Sequence, residues 1–314
     1  MGGNATNGYK TDGTLRTLDL SEAKIVRGGN AYWTDPADAY DTSSILRDNT
    51  VGYDMFRECA SLKYVTLPEG ITEIKDGAFT LCTNLQKVNI PSTVKKIGEG
   101  FRKCFKLTSI TIPEGLTEIG DFCFSHCTGI TEITIPATVT TIGDGAFSYS
   151  GIKKIVLPEG VKSVGTSTFS DCENLSTVLL PSTIASIGGN AFLRDTTLTS
   201  IYCFALKVPT VGKDAFLLTS KKDSSKPVLY VPMYSKVFYN QKTELSNKLD
   251  IIEMADETTY SQIKDLISTT TGISSIRKAS TLTKDAPRYN LSGQRVSDSY
   301  KGIVIQNGHK YVAR

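Results

Sequence analysis

Apolar and polar residues alternate along this chain in a pattern that recurs every 22 or 23 residues. Each unit has the form L-x-x-I-x-I-P-x-x-V-x-x-I-G-x-x-A-F-x-x-C, as in LKYVTLPEGITEIKDGAFTLC. One such unit cannot bury its own apolar face, so a fixed period of this length predicts a solenoid of stacked turns. The residues that begin the units are Leu62, Leu85, Leu107, Ile130, Ile152, Leu175 and Leu198.

The unit divides into a strand, a return segment and an aromatic turn. Alternation in L-x-x-I-x-I predicts a short strand, and the proline that follows ends it because it has no N–H to donate. A second apolar pair, such as Ile71 and Ile74, is expected to line the core on the returning side. Phenylalanine then occupies one position in every unit and predicts a buried aromatic column: Phe79, Phe101, Phe124, Phe147, Phe169, Phe192 and Phe216.

These motifs resemble the BspA-like leucine-rich repeats of bacterial cell surfaces. The resemblance rests on I-P followed by I-G-x-x-A-F-x-x-C, in place of the asparagine of ordinary leucine-rich repeats, and it covers about Leu62 to Phe216. It implies a mainly β repeat solenoid, a right-handed superhelix with a parallel sheet on one face. It does not identify a ligand, because such solenoids share a scaffold and differ in what they bind.

Composition shifts mark the predicted boundaries of the chain's segments. Polar, glycine-rich residues open the chain, and a serine- and threonine-rich stretch follows the repeats as a linker. We expect a disordered leader at 1–13, an irregular N-terminal cap at 14–61, repeats at 62–219, a C-terminal solenoid cap at 220–254, a linker at 255–284 and a small β module at 285–314.

The predicted C-terminal module holds three short alternating runs separated by glycine-containing turns, which indicate a β-meander. Its Y-x-L-x-G-x-x-V start and G-I-x-I-x-N-G-x-K finish resemble the sorting modules of proteins exported by the type IX pathway. The alternative is a structural appendage without a role in export. Since the start of the chain shows no signal peptide, we expect that a signal was trimmed and that the protein is secreted or held at the cell surface.

Charge and hydropathy exclude several partners. With 35 Lys and Arg against 32 Asp and Glu, the net charge of +3 provides no global field for nucleic acid. No apolar run reaches the roughly 18 residues of a membrane-spanning helix. Five lysines and arginines lie within one unit, and we interpret them as a solvated face, with a polyanion site as the alternative: Lys95, Lys96, Arg102, Lys103 and Lys106.

Catalytic and metal-binding groups are sparse. Five of the seven cysteines occupy one repeated position, where small buried thiols are expected rather than zinc ligands: Cys59, Cys82, Cys104, Cys127 and Cys172. The two histidines, His126 and His309, cannot assemble a triad or a zinc site. We therefore predict no enzyme activity, no catalytic residue, no metal and no cofactor.

The outward side chains of the predicted strands are the candidate site, because they form one continuous sheet face. One outward column changes from polar to apolar toward the C-terminus, which indicates either a binding surface or a region that the C-terminal segment covers. The predicted ligand-binding face consists of Tyr64, Thr66, Lys87, Asn89, Thr111, Glu132, Thr134, Lys154, Val156, Leu179 and Tyr202.

The resulting functional hypothesis is a secreted or cell-surface protein that mediates adhesion or protein–protein interaction through this face. We expect a monomer whose partner is a protein of the host matrix or another surface protein, or else a glycan. A rigid spacer with no ligand of its own is the main alternative. A hydrolase using scattered carboxylates is a weaker one, since it needs two acids about 5 to 10 Å apart in a pocket.

Overall fold

A computed structural model describes residues 15–23, 49–218, 225–254 and 263, and the backbone of four strands between 288 and 313. Its main body is a β-solenoid of about nine turns with parallel sheets, as the repeat predicts. Two ladders of short strands run along the solenoid. The predicted strands form the first, and the return segments form the second.

The first ladder contains the strands that the repeat predicts. It is divided into two parallel sheets, in the orders β1-β3-β5-β7 and β10-β12-β14-β16-β17. Residues 131–136 form no strand, so the ladder is interrupted there, although the N–H of Lys153 still donates to the carbonyl of Thr131 at 3.0 Å. The strands are β1 (Thr17–Asp19), β3 (Tyr64–Thr66), β5 (Lys87–Asn89), β7 (Ser109–Ile110), β10 (Lys154–Val156), β12 (Thr177–Leu180), β14 (Ser200–Cys203), β16 (Val228–Val231) and β17 (Asp250–Glu253).

A second parallel ladder of two-residue strands, which the sequence pattern did not predict, runs along the return segments. In each of its strands one inward residue comes from the second apolar pair of the unit. Ile74 and Ile97 are two such residues, and both are fully buried. The strands form sheets in the orders β2-β4-β6-β8-β9 and β11-β13-β15. They are β2 (Thr50–Val51), β4 (Glu73–Ile74), β6 (Lys96–Ile97), β8 (Glu118–Ile119), β9 (Thr141–Ile142), β11 (Ser163–Val164), β13 (Ser186–Ile187) and β15 (Thr210–Val211).

The phenylalanine column forms the spine of the core. Successive rings are stacked with centroids between 5.1 Å (Phe56 and Phe79) and 5.7 Å (Phe101 and Phe124) apart. The rings from Phe79 to Phe192 are inaccessible to solvent. Each turn thus buries its aromatic ring between those of its two neighbours, which is why the turns are stable only when stacked.

The aromatic turns are tied to one another by backbone hydrogen bonds. The N–H of Phe147 donates to the carbonyl of Thr168 at 2.9 Å, and the N–H of Tyr149 donates to that of Ser170 at 2.9 Å. Gly120 shows how closely the turns approach, because a Cβ there would lie 2.8 Å from the Cα of Gly98. The second residue after the phenylalanine has a left-handed backbone in Glu58, Leu81, Lys103, His126, Tyr149, Asp171 and Arg194.

The repeated cysteine is more than a small apolar residue. Its thiol donates to the carbonyl of the phenylalanine one turn earlier, as from Cys104 to Phe79 and from Cys127 to Phe101, both at 3.1 Å. The same carbonyl also accepts the N–H of its own turn's cysteine, as Phe79 does from Cys82 at 3.1 Å. The cysteine therefore joins two turns by a buried polar contact, which the periodicity alone did not reveal.

The C-terminal end of the solenoid is closed by β16, two short helices and β17. The helices are α1 (Lys236–Asn240) and α2 (Thr243–Ser246). Tyr239 of α1 is fully buried, and its hydroxyl donates to the carbonyl of Ala205 at 2.7 Å. This contact fixes the helices against the last turns and shields the open end of the core.

The small C-terminal β module is an antiparallel sheet of four strands. Its order is β19-β18-β20-β21, so β18 lies between β19 and β20. The prediction of a simple meander was therefore wrong in topology, because β20 pairs with β18 and not with the strand that precedes it. The strands are β18 (Arg288–Asn290), β19 (Arg295–Val296), β20 (Gly302–Gln306) and β21 (His309–Ala313).

Candidate binding surface

Among the described residues, the outward face of the first ladder has its longest exposed stretch in the N-terminal half. We call this half the open face. Tyr64 has an exposed fraction of 45%, and its hydroxyl donates to Oε1 of Gln86 at 3.0 Å. Thr66 is half-buried. The remaining members of the open face are exposed: Lys87, Asn89, Thr111, Glu132 and Thr134.

Beyond the break at 131–136 the same face becomes buried. Lys154 and Val156 are half-buried, and Leu179 and Tyr202 have exposed fractions of 0% and 1%. The expectation that Leu179 and Tyr202 face solvent was therefore wrong. Tyr202 also stacks on Tyr230, with ring centroids 4.6 Å apart.

The cover over these residues comes from the chain that follows the solenoid. Ile263 has an exposed fraction of 1% and belongs to an apolar cluster with Leu179 and Tyr202. Phe204 and Met254 complete this cluster, which is separate from the main core. We call these five residues the covered cluster. Of the two alternatives that the sequence left open, the structure shows the second one, in which the C-terminal segment folds over the apolar end.

A cleft of about 520 Å³ lies beside the second ladder. Two of its carboxylates are ion-paired, Glu73 with Lys75 at 2.5 Å and Glu118 with Lys96 at 2.7 Å. The Asp76 carboxylate accepts the N–H of Glu99 at 2.8 Å. The contacts of Glu118 and Asp76 join neighbouring turns, and Glu73 pairs within its own turn. The presence of these acidic side chains therefore does not require a hydrolytic function.

The five basic residues of one unit do not form a single patch. Lys96 pairs with Glu118, and Arg102 pairs with Glu99 at 2.9 Å. Lys106 lies at a different part of the turn and donates to Oδ1 of Asn84 at 2.7 Å. Lys96 lies in β6 of the second ladder and Lys95 precedes it, whereas Arg102 and Lys103 follow Phe101 in the aromatic turn. The polyanion alternative therefore loses its main premise, which was a contiguous cluster.

His126 lies on the outside of the aromatic turns. Its ring stacks on Tyr149, with centroids 4.3 Å apart. Partial burial, together with the charges of Lys103 and Arg102, lowers the pKa of His126 below its ordinary value. In the next turns Arg194 pairs with Asp171 at 2.5 Å. The histidine thus forms a stacked pair with Tyr149 on the exterior of the solenoid.

The buried thiols of Cys104 and Cys127 contact backbone carbonyl groups of the neighbouring turns. Burial raises the pKa of Cys127 to about 12 and that of Cys104 well above its ordinary value. Such thiols stay protonated at neutral pH and are poor metal ligands and nucleophiles. Across the described parts of the chain, no group of three or more His, Cys, Asp or Glu is arranged to hold a metal ion. Nor does any helix there have the length and apolarity needed to cross a bilayer.

Comparisons with solved structures find similarity to several bacterial proteins. A leucine-rich repeat protein of T. pallidum is 33% identical over 42% of this chain, with a TM-score of 0.41, and this chain spans 63% of its length. A leucine rich cell surface protein of Faecalibacterium prausnitzii is 22% identical over 83% of this chain and 92% of its own, with a TM-score of 0.40. The pneumococcal vaccine antigen PcpA is 14% identical over 78% of this chain and 91% of its own, with a TM-score of 0.30.

The family comparison covers more than half of the chain. A search of curated proteins found no match. The BspA type leucine rich repeat region matches in six copies, over residues 49–100 and 99–222. These matches include every turn that contributes to the open face, and they indicate no enzyme family. The chain is a member of the BspA-type leucine-rich repeat family.

Proposed function

We propose that this protein is an interaction protein, displayed at the cell surface or secreted, which binds another protein through the open face. The observation that carries the proposal is the difference in cover along one sheet. The chain buries the apolar end of the outward face with its own Ile263 and leaves the polar end exposed. An exposed, ordered array of polar side chains with one aromatic residue is a suitable contact surface for a protein partner.

The chemistry of the open face supports a polar, specific contact. Lys87 provides a cation, Glu132 an anion, and Asn89 both a donor and an acceptor. Tyr64 adds an amphipathic ring at one end, a residue type that concentrates binding energy at interfaces. Because short parallel strands hold Tyr64, Lys87 and Asn89 in register, these residues have little order to gain on binding.

The test is a binding screen of the full chain on an array of purified extracellular-matrix proteins and glycans. For any bound protein, Thr111→Arg places a long charged side chain in the middle of the open face, and we expect affinity to fall at least about tenfold, or about 1.4 kcal/mol. Thr141→Arg is the matched control, since Thr141 is an exposed threonine on the second ladder. It should leave binding unchanged.

Each outcome of this screen decides between the functional alternatives. Equal loss of affinity in both variants would show that binding lies elsewhere than on the open face. Binding only to glycans that Thr111→Arg abolishes would keep the face but change the partner class. If the chain binds nothing on either array, the spacer hypothesis replaces the proposal.

Export is a separate part of the proposal. The resemblance of residues 285–314 to type IX sorting modules suggests that this segment directs the protein out of the cell. Fusing it to a periplasmic reporter in a bacterium that has this pathway should bring the reporter to the cell surface. A reporter that stays in the periplasm would indicate that the segment is a structural appendage.

A further inference from the structure

Cys59 and Cys82 differ from the other members of the cysteine column. Most of the column's thiols donate to the phenylalanine carbonyl of the preceding turn, and Cys82 does so to Phe56 at 2.9 Å. Cys59 belongs to the turn of Phe56 itself, the first of the stacked phenylalanine rings. The Cys82 thiol also lies within hydrogen-bonding reach of the Cys59 thiol.

The backbone holds these two cysteines in matching positions on adjacent turns. The N–H of Phe56 donates to the carbonyl of Ala78 at 2.8 Å, and the N–H of Glu58 donates to that of Thr80 at 2.9 Å. The two side chains therefore lie side by side across one inter-turn step of about 4.8 Å, a separation that a disulfide can span.

Access also separates Cys59 from the rest of the column. It is half-buried, whereas the other four column cysteines are buried. The hydrogen bond from Cys82 lowers the pKa of Cys59, which favours the thiolate that attacks a disulfide. Cys82 lies directly behind it, as the resolving thiol of a redox-active pair does.

We propose that Cys59 and Cys82 form a reversible disulfide that clamps the first aromatic turn onto the second. The oxidant is a low-molecular-weight disulfide such as glutathione disulfide. The Cys59 thiolate attacks it, forms a mixed disulfide and releases one thiolate. The hydrogen bond to Cys59 and burial raise the pKa of Cys82 well above its ordinary value, so the second step is the slow one. In that step Cys82 loses its proton and attacks the Cys59 sulfur, which releases the second thiolate. Two protein thiols are oxidised by two electrons, and one small disulfide is reduced to two thiols.

The experiment treats the full chain with glutathione disulfide and then alkylates it under denaturing conditions. Before alkylation, the intact mass should fall by about 2 Da for the two lost hydrogens. The reduced protein has seven thiols, so we expect alkylation of five in the oxidised protein. Peptide mapping should find one cross-link, between Cys59 and Cys82. The oxidised protein should unfold at a higher temperature than the reduced protein, because the bond constrains the unfolded chain.

Serine substitutions supply the controls, because Ser150 already fills the equivalent position in another turn. Cys59→Ser should abolish the cross-link. Cys104→Ser, the matched control in the same column, should retain it. A glutathione adduct that persists on Cys59, a full count of seven thiols after treatment, or a cross-link between other column cysteines would each overturn the proposal. Cys82→Ser provides a second test if Cys59→Ser does not fold, and it should likewise leave no cross-link.

Discussion

The two halves of one sheet face differ in what covers them, although they share the same repeat. In the turns before residues 131–136, outward positions such as Lys87 and Thr111 are exposed. In the turns after it, Leu179 and Tyr202 at outward positions are buried in one cluster with Ile263 and Met254. Strands β12, β14, β16 and β17 are also four residues long, whereas β3 and β5 have three and β7 has two. The repeat thus determines the scaffold, and residues outside the repeat determine which part of its surface remains available.

The difference between the two halves is tested most directly by removing a buried aromatic residue from the covered half. Tyr202 is fully buried and stacked on Tyr230. Tyr202→Ala should reduce the free energy of unfolding by about 3–5 kcal/mol, because a large side chain leaves a cavity in a packed cluster. Urea denaturation measures this. A cost below about 1 kcal/mol would show that the covered cluster is loosely packed and that its burial contributes little.

Removing the cover itself should have a smaller effect. Ile263→Asp replaces a buried apolar side chain with a charge, which the covered cluster cannot solvate. We expect the loss to be limited to the contacts of this one side chain, about 1.5–3 kcal/mol. Hydrogen exchange should increase in Leu179 and Tyr202, and an apolar dye should bind.

The matched control for this variant is Ile252→Asp. Ile252 has an outward position on β17 but an exposed fraction of 44%. We expect a change within about 0.5 kcal/mol and no increase in dye binding. If both variants expose the face equally, Ile263 is not the residue that secures the cover.

The cysteine column shows the same contrast between the two halves. It is unbroken through Cys127, but Asp195 replaces cysteine in a later turn, where it is fully buried. One carboxyl oxygen accepts the N–H of Cys172 at 2.8 Å, and the other has no hydrogen-bond partner. Burial raises the pKa of Asp195 well above 3.8. The folded state therefore retains a proton that the unfolded chain has released.

This linkage predicts how stability varies with pH. Because the folded pKa is raised, the contribution of Asp195 is complete below the unfolded value near 3.8 and is lost as pH rises through the raised pKa. Asp195→Cys should remove this dependence and stabilise the protein at neutral pH by about 1–2 kcal/mol. Thermal unfolding between pH 4 and pH 8 measures both effects. An unchanged pH profile in the variant would show that Asp195 is ionised in the folded protein.

The sequence predicted those features that depend only on neighbouring turns. Register follows from the 22- or 23-residue period, and the phenylalanines lie in the core as the pattern indicated. The hydrogen bonds of the thiols and the second ladder were not predicted, because both depend on the positions of carbonyl groups that periodicity does not specify. The packing of Leu179 and Ile263 in one cluster was not predicted either, because these residues lie far apart in the chain. The outward column signalled that an apolar surface needs burial, but only the fold could show what buries it.

The smallest expected effect concerns a tyrosine in the open half, which serves as the counterpart of Tyr202. Tyr64 lies in β3 with an exposed fraction of 45%, and its hydroxyl donates an exposed hydrogen bond to the side chain of Gln86. Tyr64→Ala therefore creates no cavity and should change the free energy of unfolding by no more than about 0.5–1 kcal/mol. Tyr202→Ala, in the same ladder, is expected to reduce the free energy of unfolding several times more. Comparing the urea midpoints of the two variants therefore measures how strongly each tyrosine is covered. Similar midpoints for the two variants would mean that the open face is packed as tightly as the covered one, and a partner could then not use it without first displacing part of the protein itself.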